Sequence, residues 1–365
     1  MKLDLRAFVL RWRLVELAAG LCALGLLLRA RAWLPAKYFY DGDYIAALND
    51  GTTGIRPDAY YRSIAGFYAS LGLDTHPRLT AALQLALMVA AVTLALRPAP
   101  RARRWSTMAL AFCAIVLGGV YLTQYSKDAV VLLFVLPVLV VLRVREWASA
   151  APFVAAGALT LYGALFRSYW LVLAALFVTA YVALRRGRRP VLLLPTAAAM
   201  FVLAAAGTLV VRHDSLDTFR AAANAGRGGS PDAVTLIAPF LDAPHSIPAG
   251  LVNAMLTFVA LLVPVPLLLA GGFVHVSGAI LLGALSVRMF AAARTSAGDR
   301  ALGVAVTLLL AFVVTQALFA PDYGSHLKHL TPMLPLAIFA LARADAKRYA
   351  YARSAKRYAY VRSAT

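Results

Sequence analysis

"WSTMALAFCAIVLGGVYLTQYSKDAVVLLFVLPVLVVLRVR", residues 105–145, holds two apolar runs, 105–125 and 129–142, joined by one short polar connection. Arg101, Arg103 and Arg104 precede the first run, Arg143 and Arg145 follow the second, and Lys127 and Asp128 occupy the turn between them. Only a helix satisfies its own backbone in hydrocarbon, and crossing roughly 30 Å at about 1.5 Å per residue takes about 20 residues. The stretch therefore reads as a helical hairpin through a membrane, with its arginines on the cytoplasmic side.

The same reading extends in both directions, to runs at 14–34, 79–96, 150–166, 170–184, 191–211, 251–269, 272–290, 301–319 and 330–342. A chain that is 62% hydrophobic and 14% charged is not a soluble domain. The expected fold class is all-α: a polytopic membrane helical bundle of about 10–11 transmembrane helices. Residues 1–342 form one transmembrane catalytic domain and 343–365 a basic cytoplasmic tail. Lys2, Arg6, Arg11 and Arg13 precede the first run with no small-residue cleavage site after it, so that run reads as an uncleaved span. Cys22 and Cys113 lie inside apolar runs, where disulfide or metal chemistry is not expected.

Arg97 and the group Arg185, Arg186, Arg188 and Arg189 repeat the positive-inside pattern, which puts both termini in the cytoplasm and the larger segments 35–78 and 212–250 outside. The net charge of +20 is thus a topology signal, and a nucleic-acid partner is not expected. "LLVPVPLLLAGG" (261–272) breaks a helix at Pro264, Pro266, Gly271 and Gly272, so 251–270 is expected to be re-entrant or interfacial while 272–290 crosses. In the tail, "AKRYAYARS" (346–354) recurs as "AKRYAYVRS" (355–363), which suits contact with anionic membrane lipids and suits a solvated, partly disordered tail equally.

Polar residues that could carry chemistry gather in the external segments. Asp41 and Asp43 in "YDGDY" (40–44) are candidates for binding sugar hydroxyls or for general base work, or for a plain turn around Gly42. The aromatics Tyr38, Tyr40, Tyr44, Tyr60, Tyr61 and Tyr68 fit a sugar platform and an interface belt equally. Lys127 and Asp128 head a run too short to span, which draws them below the surface or leaves the lysine snorkelling. Arg167 is a lone charge on the side that the charge rule empties of arginine; a phosphate ligand is favoured over an internal Asp as its partner. Arg29 is a weaker candidate of the same kind. Asp322, His326, Lys328 and His329 crowd into one external turn; proton transfer or anion binding fits that set better than a metal. Arg220 lies in the second long segment, near the flexible "AGRGGSP" (225–231).

At "FRSYW" (166–170), "QYSKD" (124–128), "LLVPVP" (261–266) and "PDYGSHLKHLTPMLPL" (321–336), the chain resembles the Wzy-type O-antigen and exopolysaccharide polymerases of bacteria. The resemblance implies an inverting glycosyltransferase of the cytoplasmic (inner) membrane. It would move a polyprenyl-pyrophosphate-linked glycan onto a lipid-linked repeat unit at the external face, with a flippase and a chain-length regulator as partners and without a cofactor or metal. The first external segment is more acidic and aromatic than the arginine-rich loops of some members. On this reading His326, His329, Asp322, Asp41 and Asp43 are the catalytic candidates, with His326 first as general base. Arg167, Lys127, Lys328, Arg220, Tyr169 and Trp170 bind substrate. The alternative in the same chemistry is a transferase using a polyprenyl-monophosphate sugar, with "YDGDY" catalytic; a lipid or small-molecule transporter is the alternative from another class.

Overall fold

The computed structural model describes residues 5–52, 59–97, 104–187, 192–226, 235–243 and 245–364. Its helices are α1 (Leu5–Trp33), α2 (Tyr40–Asn49), α3 (Ala59–Ser70), α4 (Pro77–Leu96), α5 (Trp105–Tyr121), α6 (Lys127–Arg143), α7 (Ala151–Leu165) and α8 (Tyr169–Gly187). They continue as α9 (Leu193–Arg212), α10 (Thr218–Ala225), α11 (Ile247–Leu262), α12 (Val265–Leu269), α13 (Phe273–Ala293), α14 (Arg300–Phe319), α15 (Tyr323–Leu330) and α16 (Leu334–Ala364). The chain is all-α; the one β pairing among the described residues is an isolated bridge between Leu236 and Asp322.

Helix starts follow their caps. Ser126 Oγ accepts from the Asp128 amide (3.2 Å) and the Ala129 amide (3.4 Å), starting α6 where its first acidic side chain also suits the helix dipole. Asp299 caps α14 and Asp322 caps α15 in the same way. At the other extreme, Pro264 and the left-handed pair Gly271 (φ 71°) and Gly272 (φ 76°) divide 247–293 into α11, the short α12 and α13.

The core runs along α14 and the first half of α16, where Val304, Phe312, Val314, Leu334, Ile338 and Phe339 are fully buried. Large apolar side chains face outward elsewhere, among them Phe273 (87% exposed) and Val274 on α13, and Val210 and Val211 on α9. Such a surface is adverse in water and suited to lipid. α4, α9, α13 and α14 are each long and apolar enough to cross a membrane, and α5, α7, α11 and residues 169–184 of α8 are shorter apolar helices. The chain is a membrane protein built as a helical bundle.

Polar groups collect at the two ends of this bundle. At one end, Asp345 on α16 accepts from Arg288 on α13 (2.9 Å) and Thr107 on α5 (2.8 Å), with Arg104 at 3.5 Å, and Arg343 pairs with the α14 cap Asp299 (2.7 Å). At the other lie α2, α3, the start of α6, the α7–α8 turn and α15, which together hold the site described below.

Segment 35–78, expected as an external loop rich in aromatics and carboxylates, holds the helices α2 and α3. α16 runs on through the tail expected from residue 343 to Ala364, its Ala, Lys and Arg residues being strong helix formers with no Gly or Pro to stop them. Segment 251–270 is mostly α11 and α12. Asn253 on α11 donates to Asp217, the residue before α10 (2.8 Å), and the Ala260 carbonyl accepts from Tyr323 of α15 (3.3 Å), which ties the second half of α11 to the site end. The "AGRGGSP" stretch from residue 227 onward lies outside the described residues.

Candidate functional site

Four segments far apart in sequence bring their charges together at the site end. Asp41, on the first turn of α2, accepts from Tyr61 of α3 and Lys328 of α15, and Lys127 Nζ of α6 stands 3.5 Å from the same carboxylate. Asp128, beside Lys127, receives Arg167 of the α7–α8 turn at 3.2 Å. His329 Nε2 lies 3.8 Å from Asp128, and Lys328 Nζ 4.0 Å from its other oxygen. Lys127, Asp128 and Arg167 are all less than a tenth exposed.

Local structure fixes each member. Tyr68 of α3 donates to the Ser126 carbonyl (2.8 Å) and accepts from the Ser126 amide (3.1 Å), while Tyr162 of α7 donates to the Lys127 carbonyl (2.9 Å). Those two tyrosines pin the first turn of α6. The tight α7–α8 turn presents Arg167, whose Nη1 also donates to the Tyr169 hydroxyl (2.8 Å), and Trp170 packs edge-on against Tyr162. Gly42 lets α2 lie against the α5–α6 turn, since a Cβ there would stand 2.6 Å from Gln124 Oε1.

Three cations, Lys127, Arg167 and Lys328, face two carboxylates, Asp41 and Asp128, which leaves one positive charge in excess. Burial pushes the Asp41 carboxyl up, but Lys328 and Lys127 outweigh it and hold the group well below the usual carboxylate range. Burial pushes the His329 imidazole down to about 3 against the upward pull of Asp128, so it is neutral at pH 7. Its Nδ1 stands 3.0 Å from Gln316 Oε1 of α14. An amide oxygen only accepts, so Nδ1 carries the proton and the Nε2 lone pair faces the charged cluster. Asp128 Oδ2 and Trp170 Nε1 are buried with no hydrogen-bond partner among the described residues.

Of the residues singled out from sequence, Asp41, Lys127, Arg167, Tyr169, Trp170, Lys328 and His329 converge here. The expected phosphate partner of Arg167 is corrected in one respect: Asp128, an internal carboxylate, already binds one edge of the guanidinium. Asp43 points away to an exposed pair with Arg31, because two residues along a helix turn a side chain about 200°. His326 is buried beside the Phe312 ring, pushed down to about 4 by that burial, with no contact to the cluster. Asp322 is committed to the α15 cap and Ser325. Arg220 donates to Thr257 in a separate polar group between α10 and α11. Gln316, in an otherwise apolar run, and Tyr162, among many aromatics, gave no sequence signal that set them apart; Tyr68 was visible as one of the external aromatics and Asp128 as one of the pair that heads the short run.

Comparison with protein-family models, with curated proteins and with solved structures gave no match.

Proposed function

We propose that this protein is a glycosyltransferase that polymerises lipid-linked glycan at the external face of a bacterial inner membrane, with the cluster around Arg167 as its pyrophosphate site. The observation that carries the reading is the excess of positive charge formed by the buried Lys127 and Arg167 with the partly buried Lys328 at one end of an apolar bundle, with the lone pair of His329 beside it. Holding cations out of water is costly unless an anion shares the site, and a site with a net positive charge matches a phosphate better than a neutral or cationic ligand. Asp128 Oδ2, which has no hydrogen-bond partner among the described residues, is an acceptor for a substrate hydroxyl.

In this reaction the acceptor hydroxyl oxygen attacks the anomeric carbon of the donor sugar. The bond from that carbon to the pyrophosphate oxygen breaks, and the pyrophosphate keeps the electron pair. Arg167, Lys127 and Lys328 stabilise the charge developing on the leaving group. The acceptor proton passes to His329 Nε2, whose basicity rises when the anionic substrate sits beside it. The partners are a polyprenyl-pyrophosphate-linked oligosaccharide, membrane lipids, a flippase and a chain-length regulator. Both termini face the cytoplasm. The monophosphate-sugar reading would place the chemistry on Asp41 or Asp43; Asp41 is engaged by Tyr61, Lys328 and Lys127, and Asp43 turns to the exposed Arg31.

Arg167→Lys tests the site. The lysine keeps a charge for Asp128 but loses the planar fork, so polymer is expected to fall at least tenfold while protein level is unchanged. Arg167→Ala is less informative, since an unpaired buried Asp128 costs about 3–5 kcal/mol of stability. Full-length polymer on a gel from Arg167→Lys would remove the guanidinium from the reaction.

A further inference from the structure

We infer that Tyr40, Tyr44 and Tyr61 form a saccharide platform that carries the sugar next to the bound phosphate out of the charged cluster. The inference rests on the proposed reading of that cluster. Tyr40 and Tyr44 stand four residues apart on α2, hence on one side of the helix, with ring centres 6.3 Å apart and planes 2° from parallel. Tyr61 of α3 meets Tyr44 edge-on at 4.8 Å, and Lys127 Nζ sits 3.8 Å from the centre of the Tyr61 ring. The rings thus make a continuous path from Tyr40, which is 66% exposed, to Lys127, which is buried.

A pyranose has one face lined by C–H groups and a rim of hydroxyls. The parallel Tyr40 and Tyr44 rings offer flat apolar surface to the first, and the exposed pair of Asp43, on the same helix, with Arg31, in the last turn of α1, offers acceptors and donors to the second. An interface belt needs only single aromatic side chains at headgroup depth. Here three rings are ordered against one another, and the last is fixed by its hydroxyl to Asp41, a member of the cluster. A sugar attached to a phosphate held by Lys127, Lys328 and Arg167 has this path as its aromatic exit.

The test uses full-length protein in lipid nanodiscs, with two probes: the host's lipid-linked repeat unit as substrate, and the repeat-unit saccharide freed from its lipid by mild acid. Tyr40→Ala combined with Tyr44→Ala is expected to raise KM for the lipid-linked donor about tenfold and to abolish saturation transfer from the protein's aromatic protons to the free saccharide. Tyr40→Phe combined with Tyr44→Phe keeps the rings and is expected to retain both signals, which separates stacking from loss of fold. Polymerisation by the wild type with unchanged KM and saturation transfer in the alanine variant overturns the platform and leaves the functional reading standing. Loss of both signals in the phenylalanine variant also overturns it, since stacking is then not the cause. Failure of the wild type itself to polymerise or to bind the saccharide overturns both.

Discussion

His329 and His326 lie three residues apart on one helix, and their surroundings give them different work. Both imidazoles are neutral, His326 buried and His329 partly buried, but His329 has its Nδ1 proton placed by Gln316 and its lone pair in the cluster, whereas His326 packs on Phe312 and its Nδ1 has no hydrogen-bond partner among the described residues. His329→Gln is therefore expected to stop chain growth, with lipid-linked single repeats accumulating, and His326→Phe to leave chain growth intact. The pH dependence of stability follows from the same burial. Folded-state values of about 3 and about 4 lie below the value of about 6.5 in an unfolded chain, so the unfolded state takes up the proton first. Stability is whole above about pH 6.5 and is lost progressively as pH falls toward those lower values. Thermal unfolding in detergent should show a midpoint that drops from pH 7 to pH 5, with a shallower drop in His326→Phe. An equal drop in that variant would show that His326 is not one of the groups responsible.

α11 and α12 are the elements on which the topology turns. The proline break at Pro264 was legible in the sequence because a missing amide and a fixed φ act locally, and the two glycines after it act in the same way. What the break does to the path of the chain depends on contacts between distant residues, Asn253 with Asp217, and Tyr323 with the Ala260 carbonyl, the second of which ties α11 to the end that holds the site. Single cysteines in otherwise cysteine-free protein, probed with a membrane-impermeant maleimide in spheroplasts, should label from outside at Ser246 and Gly271 and not at Arg294 or Ser354. External labelling at Arg294 together with Ser354 would contradict the assigned topology. α2 and α3 were not legible as helices, because "YDGDY" carries turn-forming residues and α2 is held by tertiary contacts, with α3, α6 and α15 at Asp41 and with Gln124 at Gly42. α16 was legible as far as Ala342 from its apolar run, while the basic repeat beyond reads as solvated sequence unless its helix propensity is weighed.

At the scale of the whole molecule, the bundle sorts its charges to two ends. The end around Asp345 uses Arg288, Arg104 and Thr107 to satisfy one carboxylate and tie α5, α13 and α16 together. Both ends carry more cations than carboxylates, but the end around Asp128 holds its three cations largely out of solvent, whereas Arg104 at the Asp345 end is more than half exposed. Apolar periodicity and arginine placement disclosed the bundle, since lipid acts on every residue of a span alike. They also disclosed most members of the site one at a time, as charges where a membrane chain rarely keeps them, but not which of them meet, because Asp41, Asp128, Arg167 and Lys328 are joined only by tertiary packing. The most direct measurement is elongation of lipid-pyrophosphate-linked repeat units by the purified protein alone in nanodiscs, read as a gel ladder. The account predicts a ladder from the wild type, with polyprenyl pyrophosphate released in step with each glycosidic bond, and single repeats only from His329→Gln. Absence of elongation by folded wild-type protein, or an unchanged ladder from His329→Gln, would contradict it.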